Sequence, residues 1–530
     1  DFPLVKDLLV MNVSSEEYKK NQAGLINVVY ENKRGMTIIQ NIVQFKRLLA
    51  STSNIRNKKI MYIRIDLYEK ANEILLCGMP KNMGHNQFSK YSAYYALAST
   101  DSIPVTIPNI VVIDDYKNDI TAVCDLVKEK LVKGKEIISQ KTNKVIIDRK
   151  TGEPKKEDDS FAYEVENNVE YIVRGNKPFD GAGLIDTALA KVWAGELGLD
   201  YVPSAFQFRA IPGIKGNVYV LDFDKFAKEF YKSTISDAWG KDKEVYNEDG
   251  TLAINVILTK SQYKFYDYLN FDDWENEFET ERYGYKRTFN VSKISDKFEN
   301  IKDRVLLSYQ PLQSLNLDIN QIKVLCNHTI ETIKNISTDV NEFLKYRGLL
   351  DCDENDKGEK RQNIVVPSYY KALQKNPEQI FTDKYIQGKV QADIKKFKEN
   401  TYKGAVLVSG NYQTLLPDIF ALAQTAFGIE PTGLLKADEI YSKYWLTKMV
   451  PEIDIIRFPH IANEHAVTKV VNVDSDYYQY ASEGIITSIH SLIPQKLNSA
   501  DFDGDHILTN SSRVLIEAYK KQPSNTIIYV

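Results

Sequence analysis

The segment Asn498-Ser499-Ala500-Asp501-Phe502-Asp503-Gly504-Asp505-His506 constrains this chain more than any other. Three carboxylates at alternate positions share one face of an extended strand. A glycine between the last two lets the backbone curl so that all three converge on one point. Converging carboxylates repel one another too strongly to persist without a cation. The surrounding fold must therefore hold the segment firmly and bring compensating charge. Oxygen-only donors at this density suit Mg²⁺. Such an ion serves phosphoryl transfer, activating an attacking hydroxyl and neutralising charge on the phosphate.

Three other readings compete for the same residues. A calcium-binding loop of the EF-hand kind needs glycine at its sixth position and glutamate at its twelfth. Counting from Asp501, Gly504 is fourth and Ser512 is twelfth, so that match fails. Phosphatases that form an aspartyl phosphate use Asp-x-Asp-Gly after a buried apolar strand and before a threonine. Here Asn498-Ser499-Ala500 precedes the motif, Asp505 takes the threonine position, and only 25 residues follow it. The third reading is an aspartate-rich turn that binds nothing, which accounts for most isolated matches of this kind.

At 530 residues the chain is too long for one core and is expected to hold three or four domains. An apolar fraction of 43% and a charged fraction of 26% are those of an ordinary globular protein. The net charge of −4 supplies no global basic field, so any nucleic-acid channel must be local. Cys77, Cys124, Cys326 and Cys352 show no Cys-x-x-Cys spacing; the nearest approach to a zinc pattern is Cys326 with His328. Four reduced thiols, no charged-plus-apolar leader and no apolar run near the roughly 20 residues that span a bilayer read as a cytoplasmic protein away from membranes. The abundance of Lys, Asn, Ile and Tyr suggests an AT-rich coding genome, such as that of a phage. The chain opens without Met and closes on the strand-like Ile527-Ile528-Tyr529-Val530, so a piece of a larger polypeptide is the expectation.

Along the chain, Lys59 to Ile65 and Ile110 to Asp114 read as strands, and residues 119–134 as a helix ending at Gly134. Lys150 to Ser160 reads as a polar loop and the first boundary. Short strands follow at Tyr171 to Val173, Ala205 to Arg209 and Val218 to Leu221, with a helix over Leu184 to Leu197. Residues 261–400 carry helical periodicity, as in Gln321 to Tyr346, interrupted by an acidic surface loop at Asp351 to Gln362. From Gly404 onward the chain is strand-rich again.

The aspartates do not stand alone. Ile486 to Leu497, followed by Asn498 to Asp505, resembles the end of the catalytic barrel in the largest subunit of cellular RNA polymerases, where I-x-L-H-P-L leads into N-A-D-F-D-G-D. Arg457-Phe458-Pro459-His460-Ile461-Ala462-Asn463-Glu464-His465 is similar to that subunit's R-x-P-T-L-H-R segment, and Lys403 to Asn411 to its opening strand. Upstream, Phe179-Asp180-Gly181-Ala182-Gly183-Leu184-Ile185, Pro203 to Arg209 and Gly213 to Gly216 resemble the single-chain RNA polymerases of RNA silencing and their phage relatives. That family runs D-G-x-G-x-I, S-A-F-Q-x-R, G-x-x-K-G. Lys90 to Leu97 and Ile113-Asp114-Asp115 fit its approach to the barrel. The resemblance implies an α+β chain with two double-psi β-barrels joined by a helical connector and preceded by a mixed α/β region. The implied division is 1–160, 161–260, 261–400 and 401–530.

Residue by residue, the resemblance makes Asp501, Asp503 and Asp505 the holders of a catalytic Mg²⁺. It gives Lys215 to the phosphates of the incoming nucleotide or to the RNA end. Arg457 matches an arginine near the nucleotide sugar, the alternative being a brace for the barrel. Lys191, on the helix facing the first barrel, is a candidate second phosphate contact. Asp180 is either a group supporting the site or a turn cap. The asparagine that reads the ribose hydroxyl in the cellular enzymes is replaced by Ser499, with Asn498 one place earlier, and both are carried as substrate contacts. The implied function is template-directed RNA synthesis from nucleoside triphosphates, on DNA in preference to RNA. The elements that follow the aspartates in the family, its bridge helix and trigger loop, would lie on further subunits or on the rest of the polypeptide. A non-catalytic, nucleic-acid-binding subunit is the rival from another class, and a phosphohydrolase the third.

Overall fold

The computed structural model describes residues 8–12, 25–28, 43–48, 59–76, 102–139, 144–148, 151–210, 213–267, 269–279, 288–347, 368–460, 464–521 and 527–529. The expectations at Lys90 to Leu97 and Asp351 to Gln362 lie outside these residues. The protein is a mixed α+β chain in which two large sheets face each other. The first has seven strands in the order Ile103–Val105, Phe289–Ile294, Ala205–Ala210, Ile214–Leu221, Ala182–Asp186, Val256–Thr259 and Ile110–Ile113. The second runs Arg304–Leu307, Val406–Leu416, Ile485–Thr487, Glu439–Tyr441, His465–Val470, Glu452–Ile456 and His506–Asn510. Because Val406–Leu416 also pairs with His506–Asn510, six of these strands close into a barrel. The described pairings leave the first sheet open, so the expected pair of closed barrels is matched by one barrel facing one open sheet.

Alternation along the strands decides what each face carries. In Ala205–Ala210, Phe206, Phe208 and Ala210 enter a core with Trp193, Val218, Val220 and Trp274. Ala205 enters a second, larger core, leaving Gln207 and Arg209 on that same face. In Ile214–Leu221, Tyr219 and Leu221 join this larger core, which continues through Leu415, Ile485, Phe502 and Ile507 of the second sheet. One apolar core thus clamps the two sheets together, and polar side chains at its margin are held at fixed positions.

Several local expectations change. Residues 119–134 form the strand Asn118–Val132, paired antiparallel along its length with Ser160–Asn176. Ile120, Val123, Cys124, Val127 and Leu131 do fall at helical spacing, but pairing with the 17-residue strand Ser160–Asn176 overrides it. The segment expected as a boundary loop sits at the outer end of this hairpin, where Lys156 and Pro154 bridge to Glu136 and Ile147. The helix expected from Leu184 begins at Thr187, because Asp186 is its cap and accepts from Ala188 N at 2.7 Å; Leu184 to Asp186 belong to a buried strand. The helix expected over Gln321 to Tyr346 is interrupted at Asp339, whose carboxylate accepts from Asn341 N and Glu342 N to start a second helix. Within 261–400, Phe289–Ile294 and Arg304–Leu307 are strands, one for each large sheet. No helix among the described residues is long and apolar enough to cross a membrane. Cys124 and Cys326 are free thiols.

Candidate active site

The loop from Asn498 to Asp505 leaves a short helix, Ile493–Lys496, and ends where the strand His506–Asn510 begins. Asn498 (φ 57°) and Ser499 (φ 51°) are both left-handed and exposed. Two successive non-glycine residues in that region store backbone strain, a signature of functional turns. The turn is held from behind: Ala500 N donates to Pro494 O at 2.9 Å and Leu415 N to Asp505 O at 2.9 Å.

The first sheet supplies the rest of the frame. Phe502 N donates to the carbonyl of Asp180 at 2.9 Å, Tyr219 Oη to Phe502 O at 2.8 Å, and Gln207 Nε2 to Asp503 O at 2.7 Å. Two glycines permit this approach. Gly181 (φ 78°) lies where a Cβ would stand 2.8 Å from Asp503 Cβ. Gly504 (φ 119°) lies where a Cβ would collide with Gln207 Nε2.

Ligand atoms of Asp501, Asp503 and Asp505 lie within 4.8 Å of one another, half-buried. Burial first, and then the charges of Asp503 and Asp505, push the Asp501 carboxyl up to about 7. Asp503 ends below the usual carboxylate range: burial raises it, but the Lys215 ammonium, a hydrogen bond with Asp501 and Arg209 together outweigh that. Burial raises Asp505, against the pull of Arg457. Lys215 Nζ is 2.7 Å from Asp503 Oδ2, and Arg457 Nη2 is 2.9 Å from Asp505 Oδ2. Three convergent oxygen donors fit a hard divalent cation, and Lys215 and Arg457 are the cations that touch them directly.

The structure brings Asp501, Asp503, Asp505, Lys215 and Arg457 together. Arg457 Nη1 also donates to the carbonyls of Leu497 (3.2 Å) and Asn498 (2.9 Å), so it grips both the loop and Asp505. Asn498 and Ser499 form the rim of the same loop. Asp180 contributes its backbone carbonyl and a negative charge felt by Asp501. Lys191 is not brought in. Its helix turns Leu189, Ala190, Trp193 and Ala194 inward and leaves Lys191 exposed, with no hydrogen bond or ion pair to the aspartates.

Two basic residues escaped the sequence reading. Arg209 stands opposite Lys215 in the strand register, is 9% exposed, and feels the charge of Asp503. Lys264 is brought beside Lys215 by the bridge between Ile214 and Tyr263 and by Lys264 N donating to Gly213 O at 2.7 Å. Burial and then the like charge of Lys215 lower its ammonium below the usual lysine range. Arg209 was recoverable, since Gln207 and Arg209 must share a strand face. Nothing local marks Lys264.

The family model described as RNA dependent RNA polymerase matches residues 27–526. The DNA-directed RNA polymerase YonO of Bacillus phage SPbeta is 24% identical over 502 residues, covering 92% of this chain and 51% of the relative. Among solved structures, the RNA dependent RNA polymerase QDE-1 from Thielavia terrestris matches with a TM-score of 0.51 at 14% identity, covering 90% of this chain and 45% of that one. The chain thus spans about half the length of each.

Proposed function

Because the chain belongs to the RNA-dependent RNA polymerase family, we propose that its facing sheets form the catalytic centre of a template-directed RNA polymerase, a nucleotidyltransferase using nucleoside triphosphates. The observation that carries the reading is the triad itself: three aspartates converging at the junction of two sheets, with Lys215 on one flank and Arg457 on the other. In this reading the closed sheet, 401–530, is a double-psi barrel, and the open sheet, which adds strands from 103–113 and 289–294 to those of 161–260, stands where its partner barrel is expected, with 1–160 preceding it and 261–400 as the connector.

Asp501, Asp503 and Asp505 would hold Mg²⁺, which when bound activates the attacking hydroxyl and offsets charge at the reacting phosphate. Lys215 and Lys264 present two ammonium groups on the Asp503 side, where a compact cation suits a triphosphate. Arg209 adds fixed positive charge beneath them. Arg457 keeps Asp505 aimed and fixes the Asn498–Ser499 rim, the surface nearest a nucleotide sugar. Ribonucleotides are the expected substrates and RNA the product.

DNA is the favoured template, supported by the phage relative, whose printed name is DNA-directed. An RNA template is the second reading, supported by the family description and the QDE-1 likeness. A phage-encoded enzyme acting in its host's cytoplasm fits the same relative. The experiment is incorporation of labelled UTP by the intact protein on single-stranded DNA and, separately, on single-stranded RNA. Product on DNA, absent in Asp503→Ala, is the expected result. Product on RNA alone reverses the template assignment, and undiminished product in the variant refutes the role of the triad.

A further inference from the structure

The turn Lys260–Gln262, where the connector leaves the first sheet, has no part in the reading above. Gln262 is fully buried, at 0% exposure. Its amide lies across the starts of two parallel strands, in which Ala182 stands opposite Asn217. Nε2 donates to Gly181 O at 3.0 Å and to Asn217 O at 2.8 Å. Oε1 accepts from Thr259 N at 3.1 Å. Two carbonyls at one end and an N–H at the other fix which way the amide points. Glycines leave it room: a Cβ on Gly183 would collide with Oε1, and one on Gly216 with Nε2. Two glycines of the upstream sequence patterns, one near Asp180 and one next to Lys215, thus enclose a single side chain.

Both strand starts lead to Asp503. Gly181 backs it so closely that a Cβ there would stand 2.8 Å from Asp503 Cβ. The carbonyl before it, that of Asp180, accepts from Phe502 N. Lys215, on the same strand as Asn217, reaches Asp503 Oδ2.

We propose that Gln262 is a positioning residue for Asp503. Its one amide sets the spacing between the Gly181 turn that backs this aspartate and the strand whose lysine draws its carboxylate. The inference rests on the polymerase reading and deepens it, because a cation bound by three carboxylates needs them held at fixed separations.

Ser261 works with Gln262. Its Oγ accepts from Gly181 N at 2.9 Å, so Gly181 is gripped at its N–H by one residue and at its carbonyl by the next. The turn is itself fastened on two sides. Ser261 N donates to Asp115 Oδ1 at 3.0 Å, just beyond the strand Ile110–Ile113. Thr259 Oγ1 donates to Ala182 O at 2.9 Å. A support anchored in this way holds its place when the aspartates repel one another.

The test is calorimetric titration of Mn²⁺, standing in for Mg²⁺, into the full chain and three variants. Gln262→Met fills the same space but donates nothing, which separates packing from positioning. It is expected to weaken Mn²⁺ binding about 10-fold or more, as removal of groups that orient metal ligands does. Ser261→Ala loses one hydroxyl from a half-buried site and should show a smaller loss, whereas Ser261→Thr keeps the hydroxyl and should stay near the parent. In RNA synthesis, the kcat of Gln262→Met should fall at limiting Mg²⁺ and recover as Mg²⁺ is raised. A role in packing alone would lower the melting temperature and leave the cation affinity of the folded chain unchanged. Unchanged affinity in folded Gln262→Met, or in Ser261→Ala where the methionine variant does not fold, would overturn the proposal. A parent chain that binds no Mn²⁺ would refute the triad reading and this inference with it. A parent that binds Mn²⁺ but makes no RNA would count against the polymerase reading alone, and the affinities would still decide the role of Gln262.

Discussion

Glu483 offers a quantitative check on how the two sheets are joined. Its backbone N–H donates to Ser204 Oγ of the first sheet at 3.0 Å. Its carboxylate accepts from Thr414 N (2.8 Å) and Thr414 Oγ1 (2.9 Å) of the second. At 2% exposure the group is buried, and desolvation first, with Asp296 adding to it, pushes the carboxyl from 4.5 up to about 7 against the hydrogen bonds of Thr414 and the charge of Lys293. Between those two values the folded chain keeps a proton that the unfolded chain has released. Raising the pH therefore favours unfolding: the stability present below about 4.5 is lost progressively until the pH passes about 7. At about 1.4 kcal/mol for each pH unit of that interval, the loss is roughly 3 kcal/mol. Glu483→Gln keeps an acceptor for Thr414 N and offers a donor to Thr414 Oγ1, without a titrating proton. The variant should match the parent near pH 4.5 and exceed it by roughly 3 kcal/mol at mildly alkaline pH. Urea unfolding of both proteins, followed by tryptophan fluorescence at the two ends of the range, measures the difference, and titrations common to both cancel. Two parallel stability-against-pH curves would refute the reasoning.

Gly504→Ala places a side chain at φ 119° and against Gln207 Nε2, so thermal unfolding should report a loss of about 1–3 kcal/mol for the backbone alone. Activity should fall further, because Gln207 holds the Asp503 carbonyl. Arg457→Lys keeps the charge but loses the fork that meets Asp505, Leu497 O and Asn498 O together. Divalent-cation affinity, measured by titration, should drop by about 10–100-fold; an unchanged affinity would mean that Arg457 does not orient Asp505.

The convergence of the three aspartates was legible in the sequence because carboxylates at alternate positions share a face and Gly504 lets the backbone curl. The flanking Lys215 and Arg457 were legible through family patterns, and the structure sets both within hydrogen-bonding distance of the aspartates. What stayed hidden depends on contacts between residues far apart in the chain. Lys264 reaches the site only because Tyr263 bridges to Ile214. Lys191 was misplaced with its helix: starting that helix at Leu184 obscured the cap at Asp186 and the face that Lys191 occupies. The strand Asn118–Val132 was misread because its apolar residues satisfy a helical period, and the partner that decides the matter begins at Ser160.

The claim on which the account turns is that Asp501, Asp503 and Asp505 together hold one divalent cation. Mn²⁺, a spectroscopic substitute for Mg²⁺, can be counted by paramagnetic resonance in the unaltered chain and in Asp503→Asn. The account predicts one fewer bound ion in the variant, with the fold intact by circular dichroism. Equal numbers bound with equal affinity would contradict it, and would leave the three converging carboxylates without the cation that their geometry requires.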